Sequence, residues 1–189
     1  AQAEFWSTTQ GAATFDTQPS TVDASDIRIQ TGLTVLGVSS NTRDIGVSPV
    51  DTAKAFVRIL STSSMSDGYI YGQTGATDGQ DFGATVQLLN STTVRFTREA
   101  GAAAAGHFIS WELCEYIGSA GGANEFVVRD QGEFGLGGGV TTNTQAIAGV
   151  VDLNDVAVVL TGQRAADTQA RSSYWMHRLN MDNATTMRA

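Results

Sequence analysis

The sequence predicts an all-β protein: tandem antiparallel β-sandwich domains, Ig-like or jelly-roll-like, with the second incomplete. Three observations lead there. Ser, Thr, Gly and β-branched residues dominate while Glu, Lys and Leu are sparse, a composition of strands and turns rather than helices. Apolar residues alternate with polar ones over short runs bounded by glycine. The chain also repeats itself at the period of a small sandwich domain.

Taken in chain order, residues 1–20 fall outside the repeat and form an N-terminal arm. It carries Phe5, Trp6 and Phe15, and such an arm is expected to dock on a neighbouring subunit. Residues 21–117 form the first domain. Strands are expected at 55–60 and at 92–98, where Val94 and Phe96 point inward and Arg95 and Thr97 outward. Glycine-rich breaks at 66–83, 101–106 and 118–122 read as loops. Residues 100–105 are briefly helix-like but too short to nucleate a helix alone. The clearest strand is 107–117. It sets His107, Ile109, Trp111, Leu113, Glu115 and Ile117 on one face and Phe108, Ser110, Glu112, Cys114 and Tyr116 on the other. Large apolar side chains on both faces mark it as central in its sheet or covered on both sides. Residues 118–189 form the second, partial domain.

The repeat is read at an offset of 101. Arg28-Ile29-Gln30 then meets Arg129-Asp130-Gln131, Gly37 meets Gly138, Val50-Asp51 meets Val151-Asp152, and Val57 meets Val158. Ile27, Leu33, Val35 and Ile59 meet Val128, Phe134, Leu136 and Leu160, so the apolar register agrees as well. Further on, Thr92-Thr93-Val94-Arg95 corresponds to Thr185-Thr186-Met187-Arg188 at an offset of 93. The Trp111 strand has no counterpart within the 189 residues. The second domain is therefore expected to be completed by a downstream segment or another subunit, with the sheet edge near 185–188 paired or covered by something other than the first domain.

The charge balance excludes some classes of partner. Lys and Arg number 11 against 19 Asp and Glu, a formal net charge of −8, and Lys54 is the only lysine. A phosphate-tracking surface needs clustered cations, so nucleic-acid binding is disfavoured. No run of about 18 apolar residues suggests a membrane-spanning helix. Residues 1–9 lack the basic start and apolar block of a signal peptide. With Cys114 the only cysteine, there is no intrachain disulfide and no cysteine-cluster metal site.

Several segments together resemble a known β-domain repeat. They are Val50-Asp51-x-x-Lys54-x-Phe56-Val57, Ala84-x-Val86, Thr92-Thr93-Val94-x-Phe96-x-Arg98 and Trp111-Glu112-Leu113-Cys114-Glu115-Tyr116. The order is similar to the repeat of bacteriophage tail- or capsid-associated virion proteins, whose segments read V-D-x-x-K-x-F-V, T-x-V-x-F-x-R and W-x-V-V-E-F. The resemblance covers 27–116 and, more loosely, 128–188. Cys114 departs from the usual Val, Asn154-Asp155 replaces Ala53-Lys54, and Ala157 replaces Phe56. The resemblance implies a structural or interaction role in an extracellular particle and carries no catalytic residues.

Candidate chemistry is thin. Glu112 and Glu115 suggest a glycosidase pair, but residues three apart on a strand face opposite sides and cannot flank one sugar bond. Asp67, Asp78 and Asp81 offer oxygen ligands for Ca²⁺ without the spacing of a known loop; solvated loop tips are the plainer reading. The glycines of 135–139 lack the Lys-Ser/Thr and helix of a phosphate cradle. His107 and His177 stand singly, and no Ser/His/Asp set is recognisable. Cys114 reads as a small buried hydrophobe. Asn90-Ser-Thr and Asn183-Ala-Thr match the glycosylation pattern, which is frequent by chance in a Ser/Thr-rich chain. The chain is therefore expected to be a non-enzymatic virion structural protein without cofactor or metal, assembling with copies of itself or other virion proteins. The alternative is a lectin-like receptor-binding module, for which Trp175 beside Tyr174 is the candidate glycan contact; Trp111 reads as core.

Overall fold

A computed structural model of the chain describes residues 20–24, 26–37, 40–64, 84–98, 107–122, 124–132, 143–149, 156–159, 161–162 and 180–188. The protein is all-β. Among the described residues ten strands run β1 (Ser20–Ala24), β2 (Ile27–Leu36), β3 (Thr42–Gly46), β4 (Ala55–Ser64), β5 (Ala84–Asn90), β6 (Thr93–Arg98), β7 (His107–Tyr116), β8 (Thr144–Ala146), β9 (Asn180–Asn183) and β10 (Thr186–Arg188). One 3₁₀ turn, Thr52–Lys54, precedes β4 and is capped by the Asp51 carboxylate, which accepts from the Ala53 N–H. The sequence-derived strands at 55–60, 92–98 and 107–117 lie within a residue or two of β4, β6 and β7, except that β4 continues to Ser64.

The described sheets are antiparallel, with orders β1-β2-β7-β4, β3-β6-β5 and β8-β10-β9. β7 is central in the first sheet, as its two apolar faces imply. β2 and β4 do not touch each other in that sheet; each pairs with β7, β2 along ten residues from Ile27↔Tyr116 to Leu36↔His107.

The first two sheets face one another across the core. Ala55 and Val57 of β4, Ile109, Trp111 and Leu113 of β7 and Leu36 of β2 meet Ala84, Val86 and Leu88 of β5 and Val94 and Phe96 of β6. The inward residues follow the two-residue period of each strand. Val94 and Phe96 are fully buried, as the alternation predicts, and Arg95 and Thr97 are partly exposed. Arg98 ends the inward row buried, and its guanidinium donates to the Gly37 carbonyl at 3.1 Å.

The third sheet reproduces the second strand for strand. In β5–β6, Asn90 pairs with Thr93 and Leu88 with Val94, so Leu89 bulges out. In β9–β10, Asn183 pairs with Thr186 and Met181 with Met187, so Asp182 bulges out at the same place. Both hairpins turn through the same side-chain cap. Asn90 Oδ1 accepts from the Thr92 N–H at 2.9 Å and hydroxyl at 3.2 Å; Asn183 Oδ1 accepts from Thr185 at 2.9 and 3.1 Å. The Asn-x-Thr pattern at both sites is thus the chemistry of a two-residue turn.

Two sequence-derived expectations need correction. Upstream of the hairpin the structural offset is 100, not 101. The Val47 N–H donates to Thr92 O and the Ile147 N–H to Thr185 O, while Gln30 takes the Ser48 N–H and Asp130 the Ala148 N–H. An ungapped comparison misses this because 146–152 holds one residue more than 46–51. Second, 186–188 is not a sheet edge, because β10 is the central strand between β8 and β9. Residues 1–19 of the arm, the loops at 66–83 and 101–106, the short helix-like run at 100–105, the glycines of 135–139, and Asp67, Asp78, Asp81, His177 and Trp175 lie outside the described residues.

Candidate functional site

The motif residues that carry the resemblance converge on β7. On its inner face Trp111 lies almost wholly buried, with its indole N–H donating to Thr34 Oγ1 at 3.0 Å and its ring 6.2 Å from that of Phe96. Across the pair, Gly32 leaves the room the indole needs: a Cβ there would stand 2.6 Å from Trp111 Cζ2. Trp111 thus joins the two sheets and satisfies its one polar atom internally, as a buried indole must.

Two positions along the same face, Glu115 is a buried carboxylate with three donors from its own chain. Arg28 Nε reaches it at 2.9 Å, a second guanidinium nitrogen joins on the same oxygen, and the Asp51 N–H meets the other oxygen at 2.6 Å. Arg28 also donates to the Pro49 carbonyl. Gln30, fully buried, clasps both backbone groups of Ser48 at 2.8 and 3.1 Å. These side chains tie the connector after β3 to the β2–β7 pair, so its polar backbone enters the interior with partners. Val-Asp at 50–51 and Glu115, far apart in sequence, are one structural knot.

The outer face of β7 carries Glu112, which accepts from the Arg58 guanidinium at 2.7 and 3.0 Å. Glu112 and Glu115 therefore point to opposite sides of the sheet, each with its own arginine. Cys114 donates to Glu112 at 3.2 Å. Burial, then the hydrogen bond to and charge of Glu112, push its thiol up to about 12, so the nucleophilic thiolate is suppressed at neutral pH. His107 lies in β7 as an ordinary strand position.

Beyond β7 the chain folds back on the first half. The Tyr116 hydroxyl donates to Ser119 O at 2.7 Å, and the Gly122 backbone lies so near that hydroxyl that a Cβ would clash. Lys54 Nζ sits 5.3 Å from the Tyr116 ring centroid and donates to Glu125 at 2.7 Å, while the Gly121 N–H takes the other Glu125 oxygen. The lysine bond holds the Glu125 carboxyl below its usual range and lifts Lys54 above its own. Phe126 packs between Phe56 and Tyr116 with its ring tilted to both, the centroids at 5.4 and 6.4 Å. The Val128 N–H donates to Ala53 O, and Thr161 O accepts from the Ile59 N–H of β4. Sequence reading counts 118–128 with the second half; the aromatic contacts bind it to the first.

Among the described residues no three His, Cys, Asp or Glu side chains group to hold a metal. Asp51, Lys54, Arg58, Glu112, Glu115 and Glu125 are all engaged with their own chain. No family model matches this chain, and neither a curated protein nor a solved structure is significantly similar to it.

Proposed function

We propose that the chain is a non-enzymatic structural protein of a bacteriophage particle, assembling with copies of itself or with other virion proteins on the exterior of a tail or capsid. Its site of action is then an extracellular particle, and its domains are sandwiches in tandem. One observation carries the reading: the most specific motif residues, Trp111 and Glu115 with Val50-Asp51, are buried in or bonded to the fold itself. The acidic, lysine-poor composition favours association through apolar burial and strand pairing over electrostatic attraction. The resemblance of residues 27–116 to virion repeats supplies the particle.

Mass spectrometry of gradient-purified particles tests this. Peptides of this chain at stoichiometric abundance, retained after a high-salt wash, are the expected result. Recovery only in the soluble lysate fraction overturns it.

A further inference from the structure

Where the two sheets of the first half come together at one side, the adjoining strands are β4 and β5. β4 is last in the order of its described sheet, β5 is last in the facing one, and the two strands touch. Ala55 and Val57 share the core with Ala84 and Val86, and Ile59 packs against it. An outer strand turns alternate backbone N–H and C=O groups away from its sheet, which makes it a template for pairing with another chain.

Residues 161–162 sit on this junction. The Thr161 carbonyl accepts from the Ile59 N–H at 3.0 Å, so this N–H is turned away from β7. Gly162 lies against both strands. A Cβ there would run into the Ala84 carbonyl and stand 3.0 Å from Ile59 Cδ1 and from Thr85 Cα. Two of these neighbours are main chain, so a larger residue at 162 must displace the segment. The bond also falls beside a bulge: the β4–β7 register shifts between Ile59 and Ser61, and Leu60 is 51% exposed. A bulge and a covering loop are two devices that keep a sheet edge from pairing, and here they coincide.

The segment that supplies the contact is itself the repeat counterpart of β4. At the offset of 101, Val57 meets Val158 and Leu60 meets Thr161. β4 therefore meets a β4-type segment of its own chain at this edge, and a second copy of the chain offers a segment of the same kind. We propose that Thr161–Gly162 is an edge guard: it occupies β4 at Ile59 and keeps that strand from pairing edge to edge with β4 of a second copy. The inference rests on these contacts, not on the particle reading.

The test is Gly162→Ala in the full 189-residue chain, followed by amide exchange in NMR and by sedimentation over a concentration series. The added methyl displaces the guard, so the Ile59 amide should exchange at least tenfold faster. The Arg58 amide, which by alternation faces β7, should keep its rate. The variant should self-associate at least tenfold more tightly than the unaltered chain. Adding Leu60→Lys, a charge on the edge, should abolish that gain and leave Ile59 exchanging fast. An unchanged Ile59 rate, faster exchange without tighter association, or association that survives Leu60→Lys overturns the inference. The unaltered chain supplies a second measurement, should the variant not fold. There Ile59 should exchange through a local opening with a shallower urea dependence than Arg58, and equal dependences overturn the inference as well.

Discussion

The two hairpins of this protein, β5–β6 and β9–β10, are the same object in two settings. They share the Asn cap, the bulged residue and the flanking third strand. They differ in cover: Val94 is fully buried beneath the Trp111 sheet, and Met187 is not. The turn and bulge are therefore local, set by Asn-x-Thr-Thr and the residues beside it, and need no second layer. β2 and β4, by contrast, draw ladder partners from β7, a strand distant in sequence, so their pairing is tertiary. Hairpins alone are marginal in water, so the difference should appear as unequal stability.

Removing the cover from the first half is the largest perturbation. Trp111→Ala deletes the side chain that bridges the sheets, leaves a cavity beside Gly32 and strands the Thr34 hydroxyl. Such a change should cost about 3–5 kcal/mol. Urea unfolding followed by circular dichroism should show the cooperative transition shifted or lost. Exchange in 55–64 should then approach that of 156–159, so that the first half comes to resemble the second.

A matched pair sharpens the same comparison. Val94→Ala should cost about 2 kcal/mol as a core truncation, and Met187→Ala less than about 1 kcal/mol, since its face is half open. Equal costs, read from the two urea transitions or from local exchange, would mean that the Met187 face is already covered.

The alternation of β6 and β7 was fully legible in the sequence because a half-buried strand writes its faces at a period of two. So was the separation of Glu112 from Glu115. The knot of Arg28, Gln30, Asp51 and Glu115 was not, because its members lie on segments whose adjacency is decided by the strand order, and polar side chains carry no periodic signature. Nor was the buried Arg98, which sits at the end of an inward row where the pattern alone predicts an apolar residue. The offset of 101 fails by one residue upstream of the hairpin because the insertion lies in a connector, where no side-chain period registers it.

The turn caps test whether the hairpins are locally equivalent. Asn90→Ala and Asn183→Ala each remove an acceptor that serves both the N–H and the hydroxyl of a threonine two residues on. Each should cost about 1 kcal/mol. The two losses should be nearly equal despite the different cover, and amide exchange at Thr93 and Thr186 reads them. A loss at Asn183 much smaller than at Asn90 would show that the turn, too, depends on the second layer.

The smallest expected effect lies where the halves join, and it is a pH response. Glu125 is held below its ordinary value of 4.5, chiefly by the Lys54 hydrogen bond and then by the Gly121 N–H. A carboxyl depressed in the folded state contributes stability that is fully present above the unfolded value and is lost as pH falls through the folded one. Lys54 is raised above 10.5 by the same bond, so its contribution is full below that value and fades as pH rises through the raised one. The fold-back of 119–128 should therefore be steady through neutral pH and loosen on acidification below 4.5, seen as faster exchange at Gly121 and Glu125. Asp44 is likewise depressed by its bond to Arg95, but on the β3–β6 pair away from the junction. Lys54→Met should consequently flatten the acid response at Gly121 while leaving that of Asp44 intact. If both responses vanish together, or neither changes, the junction is not held by this pair, and the contacts of Phe126 with Phe56 and Tyr116 hold the fold-back without it.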